Sequence, residues 1–131
     1  MVINRSIDIE DAVRAVLSEY MTAYCRPLPA EYSLPNVLVT ATGGDTASTS
    51  SGKGKVDTFM VVLDARAETE AEAMECIRNA VAILETAGRY GGVSHTEVNS
   101  LYSWGVDPVR PDLAMCSATL MVTAHRETVT I

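Results

Sequence analysis

Val56-Asp57-Thr58-Phe59-Met60-Val61-Val62-Leu63-Asp64 is followed, one short junction later, by Thr69-Glu70-Ala71-Glu72-Ala73, and the two runs differ in period. The first run is dense in β-branched and aliphatic residues at strand length. From Ala73 the apolar positions Ala73, Ile77, Ala80, Val81 and Leu84 step by three and four, the period of a helix. A strand therefore feeds a helix that folds back over it. Thr69 can cap that helix with its hydroxyl while Glu72 reaches back, which makes Thr69 to Glu72 a capping box. Glu70, Glu72 and Glu75 put negative charge at the positive end of the helix dipole. Gly88 can adopt the left-handed conformation that ends helices.

The 131 residues suit one domain, read as residues 1 to 131 with a single hydrophobic core. With one Phe and one Trp, that core is expected to be aliphatic rather than aromatic. A formal charge of −7 argues against a duplex-binding surface, because affinity for nucleic acid comes mainly from cations neutralising phosphates. Cys25, Cys76 and Cys116 are odd in number and far apart, which fits reduced structural thiols better than a disulfide framework or a zinc site. Neither a signal peptide nor a membrane span is evident, so the chain is expected in a cytoplasm before any assembly.

Working outward from the central stretch, Asp8 is placed to cap a first helix whose apolar side carries Ile9, Val13, Val16, Leu17, Tyr20 and Tyr24 and which should stop near Cys25. Pro27, Pro29 and Pro35 make Arg26 to Pro35 an extended connector. Asn36 to Thr42 alternates as a strand with one buried face. Gly43-Gly44-Asp45 opens a run of Gly, Ser, Thr and Lys through Lys55, read as a long flexible hairpin loop. Val93 to Trp104 is the third strand, Asp107 to Asp112 a turn, and Ala114 to His125 the last strand, with Ala118, Leu120, Val122 and Ala124 on one face. The order is α-β-β-α-β-β, which predicts an α+β fold: a four-stranded, mainly antiparallel sheet with two helices on one face. Met60, Met115, Met121 and Tyr102 cannot all be hidden by two helices, so a second apolar surface is expected to remain for another subunit.

Chemistry is scarce. Ser51-Gly52-Lys53-Gly54-Lys55 invites a phosphate-loop reading, but Ala47 stands where that motif needs Gly, Gly54 where it needs Ser or Thr, and a strand follows in place of a helix. His95 and His125 have no spacing that pairs them in a metal site or dyad, and read as exposed strand histidines. Asp64 and Arg66 sit where strand becomes loop and can pair, for solubility or for a subunit contact. Trp104 reads first as a plug at the core's edge and second as an interface residue. The expectation is a chain with no catalytic, cofactor-binding or metal-binding residues, and no enzyme.

Several stretches taken together resemble the tail terminator, or tail completion, proteins of long-tailed bacteriophages. They are Arg26-Pro27-Leu28-Pro29 leading to Val37-Leu38-Val39-Thr40-Ala41-Thr42-Gly43-Gly44; Leu63-Asp64-Ala65-Arg66-Ala67 running into the capped helix; and Asp107-Pro108 to Asp112 before a strand ending Met121-Val122-Thr123-Ala124-His125-Arg126. The resemblance spans most of the chain and rests on the order and spacing of the motifs. It implies a homo-oligomeric ring, usually a hexamer, that caps the tail tube, ends tube polymerisation and presents the head-joining surface, with DNA passing through without sequence-specific binding. Its partners would be itself, the tail tube protein and a head-tail connector protein, with no membrane, and its place the head-proximal end of the virion's tail. Gly43, Gly44, Asp45, Thr46, Ser48, Ser51, Lys53 and Lys55 are then a candidate assembly loop, longer than in some relatives, and Asp64, Arg66 and Trp104 candidate subunit contacts. The alternatives are another connector component, such as a head-closure or stopper protein, and a ferredoxin-like domain that binds a small regulatory molecule.

Overall fold

Alternation along Lys55–Ala67 sets the architecture: Val61, Leu63, Ala65 and Ala67 are buried on one face, while Met60, Val62 and Asp64 on the other are half-buried. The computed structural model describes residues 1–48 and 55–131. Its elements are β1 (Val2–Arg5), α1 (Ile9–Leu17), β2 (Ala23–Cys25), β3 (Asn36–Ser48), β4 (Lys55–Ala67), α2 (Glu70–Ala87), β5 (Val93–Val106), β6 (Ala114–His125) and β7 (Glu127–Thr130). Five strands form one sheet in the order β2-β3-β4-β6-β5, antiparallel throughout except for β2 beside β3, and β1 pairs with β7 in a separate two-stranded ribbon. The inward row of β4 meets that of β6 in register, Val61 opposite Leu120, Leu63 opposite Ala118 and Ala65 opposite Cys116. Ile9, Val13 and Leu17 of α1 and Ala73, Ile77, Ala80, Val81 and Leu84 of α2 join the same core. A fully buried Leu or Ile contributes about 1.5–3 kcal/mol relative to exposure, so this one layer supplies most of the driving force.

Both helix starts follow local chemistry. The Asp8 carboxylate accepts from the Asp11 amide at 3.2 Å and the Thr69 hydroxyl accepts from the Glu72 amide at 3.2 Å. At the far end of α2, Gly88 takes φ +67°, a conformation that costs a residue with a Cβ.

The α-β-β-α-β-β sheet of four strands does not form; the described residues hold seven strands in two sheets. Three differences account for this. The first helix stops at Leu17 rather than near Cys25, and Ala23–Cys25 instead lies parallel to Val37–Val39. Buried backbone groups on the outer edge of β3 need partners, and that demand outweighs the helical spacing of Tyr20 and Tyr24. The hairpin does not open into a loop at Gly43, because β3 continues to Ser48, opposite Lys55. Gly-rich polar composition does not prevent a two-stranded ladder when β6 already supports β4 on its other side. Finally, the segments before α1 and after β6 pair with each other, Ile3 opposite Val129 and Arg5 opposite Glu127, a pairing remote in sequence that local periodicity does not reveal.

The long hairpin depends on one residue. Its register skips Thr42 between Ala41 and Gly43, and a Cβ built on Gly44 would lie 2.1 Å from the Thr58 carbonyl oxygen. Gly44→Ala should therefore push β3 off β4 there and lower stability by more than about 1 kcal/mol. Thermal melts of the variant beside the parent check this, and an unchanged midpoint would show that the hairpin shifts without cost.

Candidate functional site

The candidate residues separate into buried and exposed groups. Gly43, Gly44, Asp45 and Thr46 lie in β3 and Lys55 begins β4; Ser48 pairs with Lys55 through its backbone. Ser51 and Lys53, with most of the phosphate-loop motif, lie outside the described residues. Asp64 and Arg66 do not pair with each other. Asp64 accepts a hydrogen bond from the Ser117 hydroxyl at 2.5 Å across the β4–β6 ladder, and the Arg66 Nε donates to Asp107 Oδ2 at 2.5 Å. Arg66 and Asp107 are both buried, so this ion pair lies inside the subunit.

Asp107 opens the turn that the sequence places at Asp107 to Asp112. Its Oδ1 accepts from the amides of Val109 at 2.8 Å and Arg110 at 3.0 Å, the side chain to backbone bonding that makes Asp a turn residue. Burial alone would raise the carboxyl's pKa. The Arg66 hydrogen bond and the two amides outweigh it and hold the group below its usual 3.8. The turn between β5 and β6 is thus anchored to the end of the central strand, β4.

A second buried carboxylate lies at the opposite end of β4. Asp57 shares the inward parity of Phe59, Val61 and Leu63, and that parity was the available signal that it would be buried. Its oxygens accept from the hydroxyls of Ser6 and Thr46, each at 2.7 Å, and from the Arg126 Nε at 3.2 Å. Burial pushes the pKa up, but the two hydroxyls and the guanidinium prevail and keep it below 3.8. Since Ser6 follows β1 and Arg126 precedes β7, this cluster fixes the ribbon's direction relative to the five-stranded sheet. A third link joins α1 to the edge of β3. Glu10 accepts from Arg26 at 2.6 Å and from the Ala41 amide at 2.9 Å, occupying an edge N–H that β2 does not reach.

Trp104 is no core plug. It is 49% exposed, beside Leu101 at 54%, Val106 at 67% and, in the following turn, Val109 at 83%. These residues lie on and just after the outer half of β5, an edge strand. On the face away from the helices Met60 lies opposite Met121 and Val62 opposite Thr119, all half-buried. His95 and His125 are exposed, and a bulge at Ser94 sets His95 opposite Thr123, two residues from His125. Cys25, Cys76 and Cys116 are free thiols, and burial pushes Cys76 up to about 11. Such thiols are poor nucleophiles. Among the described residues, no three His, Cys, Asp or Glu side chains converge on a metal-sized site, and no helix is long and apolar enough to cross a membrane.

No family model and no curated protein matches this chain. Among solved structures it is similar to a chain of the virion of a native gene transfer agent (GTA) particle, with a TM-score of 0.62 at 12% sequence identity, covering 89% of this chain and 94% of that one. At that identity the likeness is one of fold, shared over nearly the full length of both chains.

The two carboxylate clusters carry a pH dependence whose sign follows from their shifts. Asp57 and Asp107 lie below 3.8 when folded, so the unfolded chain takes up their protons first as the pH falls. Their contribution is complete above that value and is lost as the pH drops through the lower folded-state values. Denaturant midpoints taken from neutral to acid pH should fall in that window, with a shallower fall in Asp57→Asn. At neutral pH Arg66→Ala should cost about 3–5 kcal/mol, because it leaves the Asp107 carboxylate buried without its cation.

Proposed function

We propose that this chain is a structural protein of a phage-like virion and, more specifically, a tail terminator. In this reading it forms a ring, hexameric as the resemblance implies, on the completed tail tube. The ring stops tube polymerisation and offers the surface to which the head joins, and the chain catalyses nothing. The observation that carries the reading is the near full-length likeness of fold to a chain from a gene transfer agent virion, which agrees with the resemblance seen in the sequence motifs. The net charge of −7 supports it, since an acidic ring lets DNA pass without holding it. So does the exposed apolar row of β5, which one copy leaves uncovered. The protein would reside at the head-proximal end of the tail, after a period in the host cytoplasm, with the tail tube and a head-tail connector protein as neighbours. A head-closure or stopper protein is the reading next to it, drawn from the same particle.

Electron microscopy of the purified chain, alone and with tail tubes, tests the proposal. Rings on one end of the tubes, and overlong tails when the chain is withheld, are the expected result. A chain that stays monomeric and leaves tube ends bare would overturn it. Trimming residues 49–54, or reversing the charge of Lys53 and Lys55, should lower the yield of normal tails while leaving the melting temperature nearly unchanged, because the cost of closing a connection grows only slowly with its length.

A further inference from the structure

The apolar stripe of α1 runs on past the point where its burial stops. Val16 is half-buried, and Tyr20, four residues further along that stripe, is 70% exposed. Tyr20 stands at the lip of a groove of about 770 Å³ between α1 and α2, with Val16, Met21, Ile83 and Tyr90 as its floor and Ala82 on the α2 side. The floor residues pack against the core, which sets their positions.

The groove continues at both ends. Toward Glu72 it runs into a depression that shares Tyr20, Met21 and Asn79, and toward Asp8 into one that shares Val16, Glu19 and Tyr90. It follows α2 from Glu72 to Ala87, roughly 22 Å at about 1.5 Å per residue. Its charge is one-sided. Asp8, Asp11, Glu19, Glu72, Glu75 and Glu127 line it against a single cation, Arg89, whereas the whole chain has 17 acidic residues to 10 basic. Arg14 pairs with Asp11 and Arg5 with Glu127, but Glu19, Glu72 and Glu75 form no ion pair among the described residues. Glu72 and Glu75 favour the start of α2. Glu19 has no such local use, since it lies just past the last residue of α1, where the negative end of the helix dipole disfavours a carboxylate.

We propose that this groove binds an amphipathic helix of another protein, its apolar face on Val16, Met21 and Ile83 and its lysines or arginines on Glu19, Glu72 and Glu75. The occupant is helical because the walls offer it no backbone partners. The main-chain groups of α1 and α2 are bonded within those helices, so an extended segment would leave its own amides unpaired there, while a helix satisfies its own. It is basic because the rim is acidic, and opposite charge steers encounter and selects among partners. A helix from a second copy fits poorly, since α1 carries Glu10 and Asp11 and α2 carries Glu70, Glu72, Glu75 and Glu85. Tyr20, the exposed aromatic at the lip, is the residue on which binding depends most. The contact lies on the helix layer, apart from the exposed row of β5, and does not require the ring.

The probe is a synthetic peptide of about 15 residues, long enough as a helix to span the groove, with leucines at helical spacing on one face and lysines flanking them. The same peptide with glutamates for the lysines is its control. In NMR spectra of the full chain the lysine peptide should shift the signals of Val16, Tyr20, Ala82 and Ile83, and the glutamate peptide should bind at least about tenfold more weakly at low salt. Tyr20→Ala, and Glu19→Lys combined with Glu75→Lys, change exposed positions and should melt close to the parent. Each should weaken binding of the lysine peptide by about tenfold or more, and the double variant should turn the preference toward the glutamate peptide. Absence of shifts, shifts that avoid the groove, equal binding of the two peptides, or self-association of the chain through Tyr20 would overturn the proposal.

Discussion

β4 is bonded along its length on both sides, to β3 and to β6, while its inward residues must stay dry under α2. This double commitment organises the rest. With both edges of the central strand used and one face closed, any polar group on the inward row has to be satisfied where it stands, since an unpaired buried charge is costly. Asp57 meets the requirement by drawing in Ser6, Thr46 and Arg126. Arg66, on the other row near the opposite end of the strand, is paired through its Nε with Asp107, while its buried Nη1 has no hydrogen-bond partner among the described residues. The ribbon is thereby held at one end of the sheet and the turn between β5 and β6 at the other.

Much of this was legible in the residues. The alternation of Val37 and Val39, of Val61 and Leu63, and of Ala118, Leu120 and Val122 marks three inward rows, and all of these residues are buried. Thr69, Glu72 and Gly88 mark the ends of α2, and β6 spans Ala114–His125 as its pattern predicts. Legibility failed where a remote partner decides the local state. Tyr24 continues a helical pattern, but the open edge of β3 makes Ala23–Cys25 a strand. Gly43 to Ser48 read as loop because glycine and small polar residues lower strand propensity, and β4, already fixed by β6, imposes the ladder on them. The pairing of Val2–Arg5 with Glu127–Thr130 leaves no local trace at all.

The candidate site shows the same division. Asp64 and Arg66 were visible as charges at a strand end, but their partners, Ser117 and Asp107, come from other elements, and only the folded chain brings them near. Trp104 was visible as an aromatic at a strand end. Its exposure follows from topology, because α1 packs with β2 and β3 and α2 with β4 and β6, which leaves the outer half of β5 without a helix beside it. The exposed apolar row therefore lies on the strand farthest from α1 in the sheet order.

On the proposed virion reading, the exposed apolar edge of β5 is left open in one subunit and closed in an assembly. Residue-resolved hydrogen exchange, measured on the free chain and again on the assembled particle, tests it most directly. In the free chain the amides of β4 should exchange slowly, and those of Asn99–Val106 that face away from β6 should exchange fast. On assembly those fast amides should slow while β4 stays as it was. Amides of Asn99–Val106 that remain fast in the particle, or that are already protected in the free chain, would contradict closure of this edge by assembly.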